Sequence, residues 1–97
     1  MALEPAAIDW LQSDGDYVRI FAGRRTYLHL ATLSAFAELL PTQFVRVHRA
    51  AVVNAERIAE LQPLTNGDYS LLLTTGARVK LSRTRRDVLA NRLGGRL

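Results

Sequence analysis

His48 and Arg49 interrupt an otherwise apolar run, FVRVHRAAVVNAERI from Phe44 to Ile58. A polar pair there admits three chemistries: a catalytic histidine, a structural bend, or a contact with nucleic acid. Further along stand seven basic residues, Arg78, Lys80, Arg83, Arg85, Arg86, Arg92 and Arg96, against the single acid Asp87. Such a cluster suits a phosphate backbone, an anionic lipid surface or an acidic protein, and a solvated helix face is the plain alternative. Enzymatic chemistry is not expected, because the titratable groups are His29, His48 and scattered carboxylates, without a G-x-S-x-G elbow, H-E-x-x-H pair or P-loop. Asp14-Gly15-Asp16 resembles half of a cation loop but lacks the downstream ligands of an EF-hand and reads as a turn. His29, between Leu28 and Leu30, reads as a hydrogen-bonded structural residue rather than a metal ligand or base. No metal and no cofactor is expected.

The chain that must position these groups has 97 residues, 48% hydrophobic and 23% charged, with a net charge of +4. That is one globular domain, residues 1–97, able to bury roughly two-thirds of its unfolded surface in one modest core. The absence of cysteine excludes disulfides, thiolate zinc sites and cysteine nucleophiles, and permits the reducing cytoplasm expected here. No secretory signal pattern is present, and no run approaches the ~18 apolar residues of a membrane span. Met1 to Pro5 reads as a short leader into the first strand, which allows the chain to be a piece of a longer protein.

Alternation of apolar and polar residues predicts strands over Ile8 to Gln12 and Tyr17 to Ala22, joined by the turn-former SDGD. A turn at Gly23-Arg24 leads to a third strand, Arg25 to Leu30. A short helix follows, with Thr32 as N-cap, Leu33, Phe36, Ala37 and Leu40 on one face, and Pro41 as its stop. Strands resume over Phe44 to Val47, Arg57 to Pro63, Tyr69 to Thr75 and Ala77 to Leu81, with turns at Asn66-Gly67-Asp68 and Gly76. A basic helix begins near Ser82 or Thr84, where Thr84 and Asp87 have the spacing of a variant capping box, and Leu89 and Leu93 dock it.

FVRVHRAAVVNAERIAEL, followed after a hairpin by GARVKLSRTRRDVL, resembles the LytTR-type DNA-binding domain of bacterial response regulators. IDWLQSDGDYVRIF is similar to the family's opening strands, and TLSAFAELLPTQFVRVHR to its short helix and following R-x-H-R segment. The resemblance covers nearly the whole chain. It implies a mainly β, elongated arrangement of antiparallel sheets with two short helices, whose loops enter successive major grooves. It further implies sequence-specific binding of double-stranded DNA as the output domain of a two-component transcription regulator with a receiver or sensor domain elsewhere; because one small domain presents limited surface, two copies on tandem half-sites are expected. A protein-interaction or anionic-surface module is the alternative.

Three segments are implied to meet DNA: the turn Asp14 to Tyr17, the loop at His48 and Arg49, and Ser82 to Arg86. Within them the DNA-binding residues are Tyr17, His48, Arg49, Ser82, Arg83, Arg85 and Arg86, joined by Lys80. An arginine at Arg49 or Arg83 matches guanine O6 and N7, whereas Lys80, Arg85 and Arg86 suit phosphates. Ser82 and the first turn of the closing helix offer further donors to phosphate. On this reading the chain leaves its strand after Val47, and Val52, Val53 and Ile58 return to the core. Plainer roles compete: His48 hydrogen-bonding a strand end, Asn54 capping local backbone, Arg46 packed against an acid such as Glu60, Trp10 in the core. The family commonly has a serine at Ala50 and a second basic residue at Thr84, so this chain lacks a hydroxyl in one loop and a charge in the other.

Overall fold

Two turns of two residues each set the register of the first three strands, β1 (Trp10–Asp14), β2 (Tyr17–Ala22) and β3 (Arg25–Leu30). Gly15 and Gly23 open these turns with φ of 60° and 63°, a left-handed conformation that matches the twist of the flanking strands and disfavours any residue with a Cβ. Asp14 consequently pairs with Tyr17, and Ala22 with Arg25. The computed structural model describes residues 3–93, so Met1, Ala2 and Arg96 lie outside the described residues.

The first strand starts at Trp10 rather than Ile8, because Pro5–Ala7 form a 3-10 turn and Ile8 and Asp9 lead in irregularly. Asp9 is only 4% exposed, and its carboxylate accepts hydrogen bonds from the Gly23 N–H at 2.7 Å and from Arg57 Nε at 2.8 Å. A buried carboxylate satisfied this way anchors the entry to the sheet. Leu3 packs on the core, so part of the expected leader belongs to the fold.

Helix α1 (Leu33–Ala37) is capped as expected, with Thr32 Oγ1 accepting from the Ala35 N–H at 3.1 Å. It ends three residues earlier than expected. Leu39 and Leu40 instead donate to carbonyls three residues back, a tightening that suits a chain approaching Pro41.

The apolar run after the helix contains two strands where one was expected. β4 (Phe44–His48) turns at Arg49-Ala50 into β5 (Ala51–Asn54), which carried no alternation to reveal it. Its residues are buried on both faces: Val52 joins Ile8, Leu11, Val18, Ile20, Leu33 and Phe44 under α1, while Ala51 and Val53 join Val45, Val47, Leu71 and Leu73 on the other side. A strand shared by two cores reads as a continuous apolar stretch. β1 and β5 are neighbours, giving a five-stranded antiparallel sheet of order β3-β2-β1-β5-β4.

β6 (Ile58–Pro63), β7 (Tyr69–Leu73) and β8 (Arg78–Leu81) form a second antiparallel sheet in sequential order. Helix α2 (Arg86–Arg92) closes the second core with the fully buried Leu89 and with Leu93. It follows a 3-10 turn at Arg83–Arg85, and the expected capping box does not form. The Asp87 side chain is 94% exposed, while Thr84 Oγ1 lies 3.4 Å from Ser82 Oγ. The described residues extend 38 × 23 × 22 Å, the elongated, mainly β arrangement expected. Among them no helix is long and apolar enough to cross a membrane.

Candidate nucleic-acid interface

The turn that carries His48 and Arg49 is fixed from within. The Ala50 N–H donates to His48 Nδ1 at 3.0 Å, and the Ala50 carbonyl accepts from the Ser13 N–H at 2.9 Å, so both main-chain groups of Ala50 are engaged without a hydroxyl at that position. Arg46 reaches across the same turn, with Nε donating to the His48 carbonyl at 3.2 Å and Nη2 to the Arg49 carbonyl at 2.5 Å. Its Nη1 donates to Ser34 Oγ on α1 at 3.0 Å. The proposed partnership of Arg46 with Glu60 is therefore absent; a strand bulge between Arg46 and His48 turns its side chain toward the hairpin carbonyls instead.

His48 thus has the plain structural role, with its ring half-buried. Because Nδ1 accepts, neutral His48 carries its proton on Nε2. Burial, followed by the charges of Lys80, Arg49, Arg46 and Arg85, holds its pKa below the ordinary imidazole value.

The basic segment is brought to this turn by direct stitching of β8 to β4. The Ser82 N–H donates to the Val47 carbonyl at 2.9 Å and Ser82 Oγ approaches the same oxygen at 3.4 Å. From the other side Asp68, in the β6–β7 loop, accepts from the Arg83 N–H at 3.0 Å and pairs with Lys80 Nζ at 3.2 Å. These bonds, the Arg83 N–H first, hold the Asp68 carboxyl below its usual range.

His48, Arg49, Lys80, Ser82, Thr84 and Arg85 together line one open cleft of about 460 Å³. Tyr17, 45% exposed, lies in an adjoining cleft of about 300 Å³ with Ser13, Asp16, Arg46 and again Arg49. Arg49 is common to both. The two remaining expected residues point elsewhere: the Arg83 side chain lies along Gly67, and Arg86 is stacked over the Tyr69 ring at 5.7 Å. Arg46 was missed as a site residue because its bonds join a strand, a turn and a helix that sequence spacing does not connect.

Chemically, the first cleft presents guanidinium, ammonium, imidazole N–H and hydroxyl groups. Such a set binds oxygen and ring-nitrogen acceptors, the groups displayed by phosphates and purine edges. A larger groove of about 1020 Å³, bordered by Glu56, Ile58, Glu60, Leu61, Arg92 and Leu93, shares no residue with it.

Residues 1–94 match the family model of the LytTr DNA-binding domain. The chain is 36% identical over 73 residues to the sensory transduction protein LytT of Bacillus subtilis, covering 74% of this chain and 30% of that protein. It is 33% identical over 76 residues to LytT of Enterococcus faecalis, covering 77% and 31%. A shorter match, 37% over 46 residues, joins it to the transcriptional regulatory protein LytR of Staphylococcus aureus, covering 47% and 19%. The chain spans less than a third of the length of these curated relatives. Among solved structures, a LytTr DNA-binding domain from Bacillus cereus superposes with a TM-score of 0.87 at 26% identity, covering 97% of this chain and 87% of that one.

Proposed function

This chain belongs to the LytTr DNA-binding domain family, one of DNA-binding domains rather than of enzymes, and from that premise we propose that it recognises double-stranded DNA sequence-specifically as the output module of a bacterial transcription regulator. The observation that carries this reading is the convergence of the His48-Arg49 turn and the Ser82–Arg85 segment on one donor-lined cleft. Arg49 and Arg85 face that cleft and are assigned to base edges, where a guanidinium fork matches guanine O6 and N7. Lys80, Ser82 and Arg86 are assigned to phosphates, which fix the register without carrying sequence information. Tyr17, across the adjoining cleft, meets the neighbouring stretch of the groove.

The β1–β2 and β4–β5 turns and the β8–α2 connection project as loops into the major groove. One such domain presents limited surface, so two copies are expected on tandem half-sites, with pairing driven by a receiver or sensor domain outside this chain. Its target places it in the bacterial cytoplasm.

Selection of bound duplexes from a random library, read by gel shift, tests the reading. Enrichment of a repeated motif supports it. Equal binding of all duplexes leaves a charge-driven binder, and binding of anionic vesicles without preference for DNA favours a surface or protein-interaction module.

A further inference from the structure

Resting on the DNA-binding reading above, we infer that Arg46 is a positioning residue for recognition: fastened to α1 through Ser34, its guanidinium sets the β4–β5 turn that presents His48 and Arg49.

β4 and β5 fall out of register between Arg46 and His48, so the carbonyls of the turn leave the regular ladder and need donors. Arg46 supplies them, with one nitrogen to the His48 carbonyl at 3.2 Å and a second to the Arg49 carbonyl at 2.5 Å. The third nitrogen donates to Ser34 Oγ at 3.0 Å. Only a planar fork with several fixed donors can span a strand, a turn and a helix at once, and a lysine ammonium is too compact to do so.

No acid among the described residues pairs with Arg46. Its charge is instead retained beside Arg85 and the Arg49 turn, where a polyanion would neutralise it. The three residues bonded to Arg46 differ in what they line: Ser34 is exposed and lines the Tyr17 cleft, His48 lines the other cleft, and Arg49 lines both. Arg46 thereby couples the spacing of the two contact turns to α1.

The test compares Arg46→Lys, which keeps the charge and loses the fork, with Ser34→Ala, which removes only the helix anchor on an exposed site. Amide hydrogen exchange of the free protein reads the turn without DNA. Arg46→Lys is expected to speed exchange at Ala50 about tenfold or more while the buried strand amides of Val52 and Val53 keep their wild-type rates, with a smaller effect from Ser34→Ala. Unchanged protection of Ala50 overturns the inference whatever the DNA result.

A duplex enriched from random sequence by the wild-type protein then reads recognition. Arg46→Lys is expected to weaken that duplex about tenfold and a scrambled duplex less than about twofold, with the salt slope kept. The loss on the selected duplex should disappear in the Arg49→Ala background, because Arg46 acts through Arg49. Equal loss on both duplexes with a slope flattened by about 0.9 makes Arg46 a phosphate contact and overturns the inference. Failure to enrich any duplex with a loosened Ala50 amide removes the DNA reading and leaves the turn geometry standing.

Discussion

The carboxylate of Asp68 accepts the main-chain N–H of Arg83 at 3.0 Å, across 15 residues of sequence, and pairs with Lys80 Nζ at 3.2 Å. The β6–β7 loop thereby sets where the segment after β8 begins its turn toward the cleft. These bonds depress the Asp68 pKa below its ordinary 3.8, so its stabilisation is fully present above about pH 4 and is lost as pH falls through the folded value. Asp68→Asn should flatten the acid limb of the stability curve and weaken DNA binding at neutral pH by loosening Arg83 and Lys80. An acid limb that is identical in wild type and Asp68→Asn, measured by urea unfolding from pH 2 to 5, would refute this.

His48 titrates below its ordinary 6.5, through burial first and then the charges of Lys80, Arg49, Arg46 and Arg85. In the window between the folded and unfolded values the unfolded chain binds more protons, so this contribution is present above about pH 6.5 and is lost as pH falls through the folded value. Bound phosphates would offset the surrounding positive charge and raise the midpoint. Proton NMR titration of the imidazole, with and without a duplex, should give a low midpoint in the free domain and a higher one in the complex. A free-state midpoint at or above 6.5 contradicts the arrangement.

Arg49→Ala should cost ~1–3 kcal/mol more on a selected duplex than on a random one if it makes a bidentate base contact. Arg83 and Arg85 compete for the equivalent role in the second segment. Arg85 lines the cleft with Arg49, whereas the Arg83 side chain lies against Gly67, so Arg85→Ala is expected to lose more discrimination than Arg83→Ala. Arg86→Ala should weaken both duplexes alike. Competition binding with matched duplexes decides, and a larger discriminating loss in Arg83→Ala would return the base contact to Arg83.

Asn54 is fully buried, with Nδ2 donating to the Ile8 carbonyl at 3.0 Å and Oδ1 accepting from the Glu56 N–H at 3.0 Å. Asn54→Ala leaves both main-chain groups without partners, a cost of ~1–3 kcal/mol or more. The thermal midpoint should fall by roughly 4–8 °C for each kcal/mol lost. Duplex preference should be unchanged, since Asn54 lines neither contact cleft. A wild-type midpoint would mean that water satisfies these groups as well as Asn54 does.

Local chemistry made much of this protein legible from its sequence. Alternation marked β1 and β2, the Gly23-Arg24 turn led to β3, the Thr32 cap and Leu33, Phe36 and Ala37 marked α1, and glycine at the turns marked the hairpins. The motifs F-x-R-x-H-R and S-R before a closing helix carried the family. β5 was hidden because a strand buried on both faces has no period-2 signal, and the Thr84-Asp87 spacing misled because a 3-10 turn already occupied the start of α2. Only the tertiary structure decided which basic side chains share a cleft. Ser82 bonds to Val47 across 35 residues, and Arg46 joins β4 to α1 through Ser34. Where a long side chain points depends on such contacts between distant segments, and neither periodicity nor composition contains them.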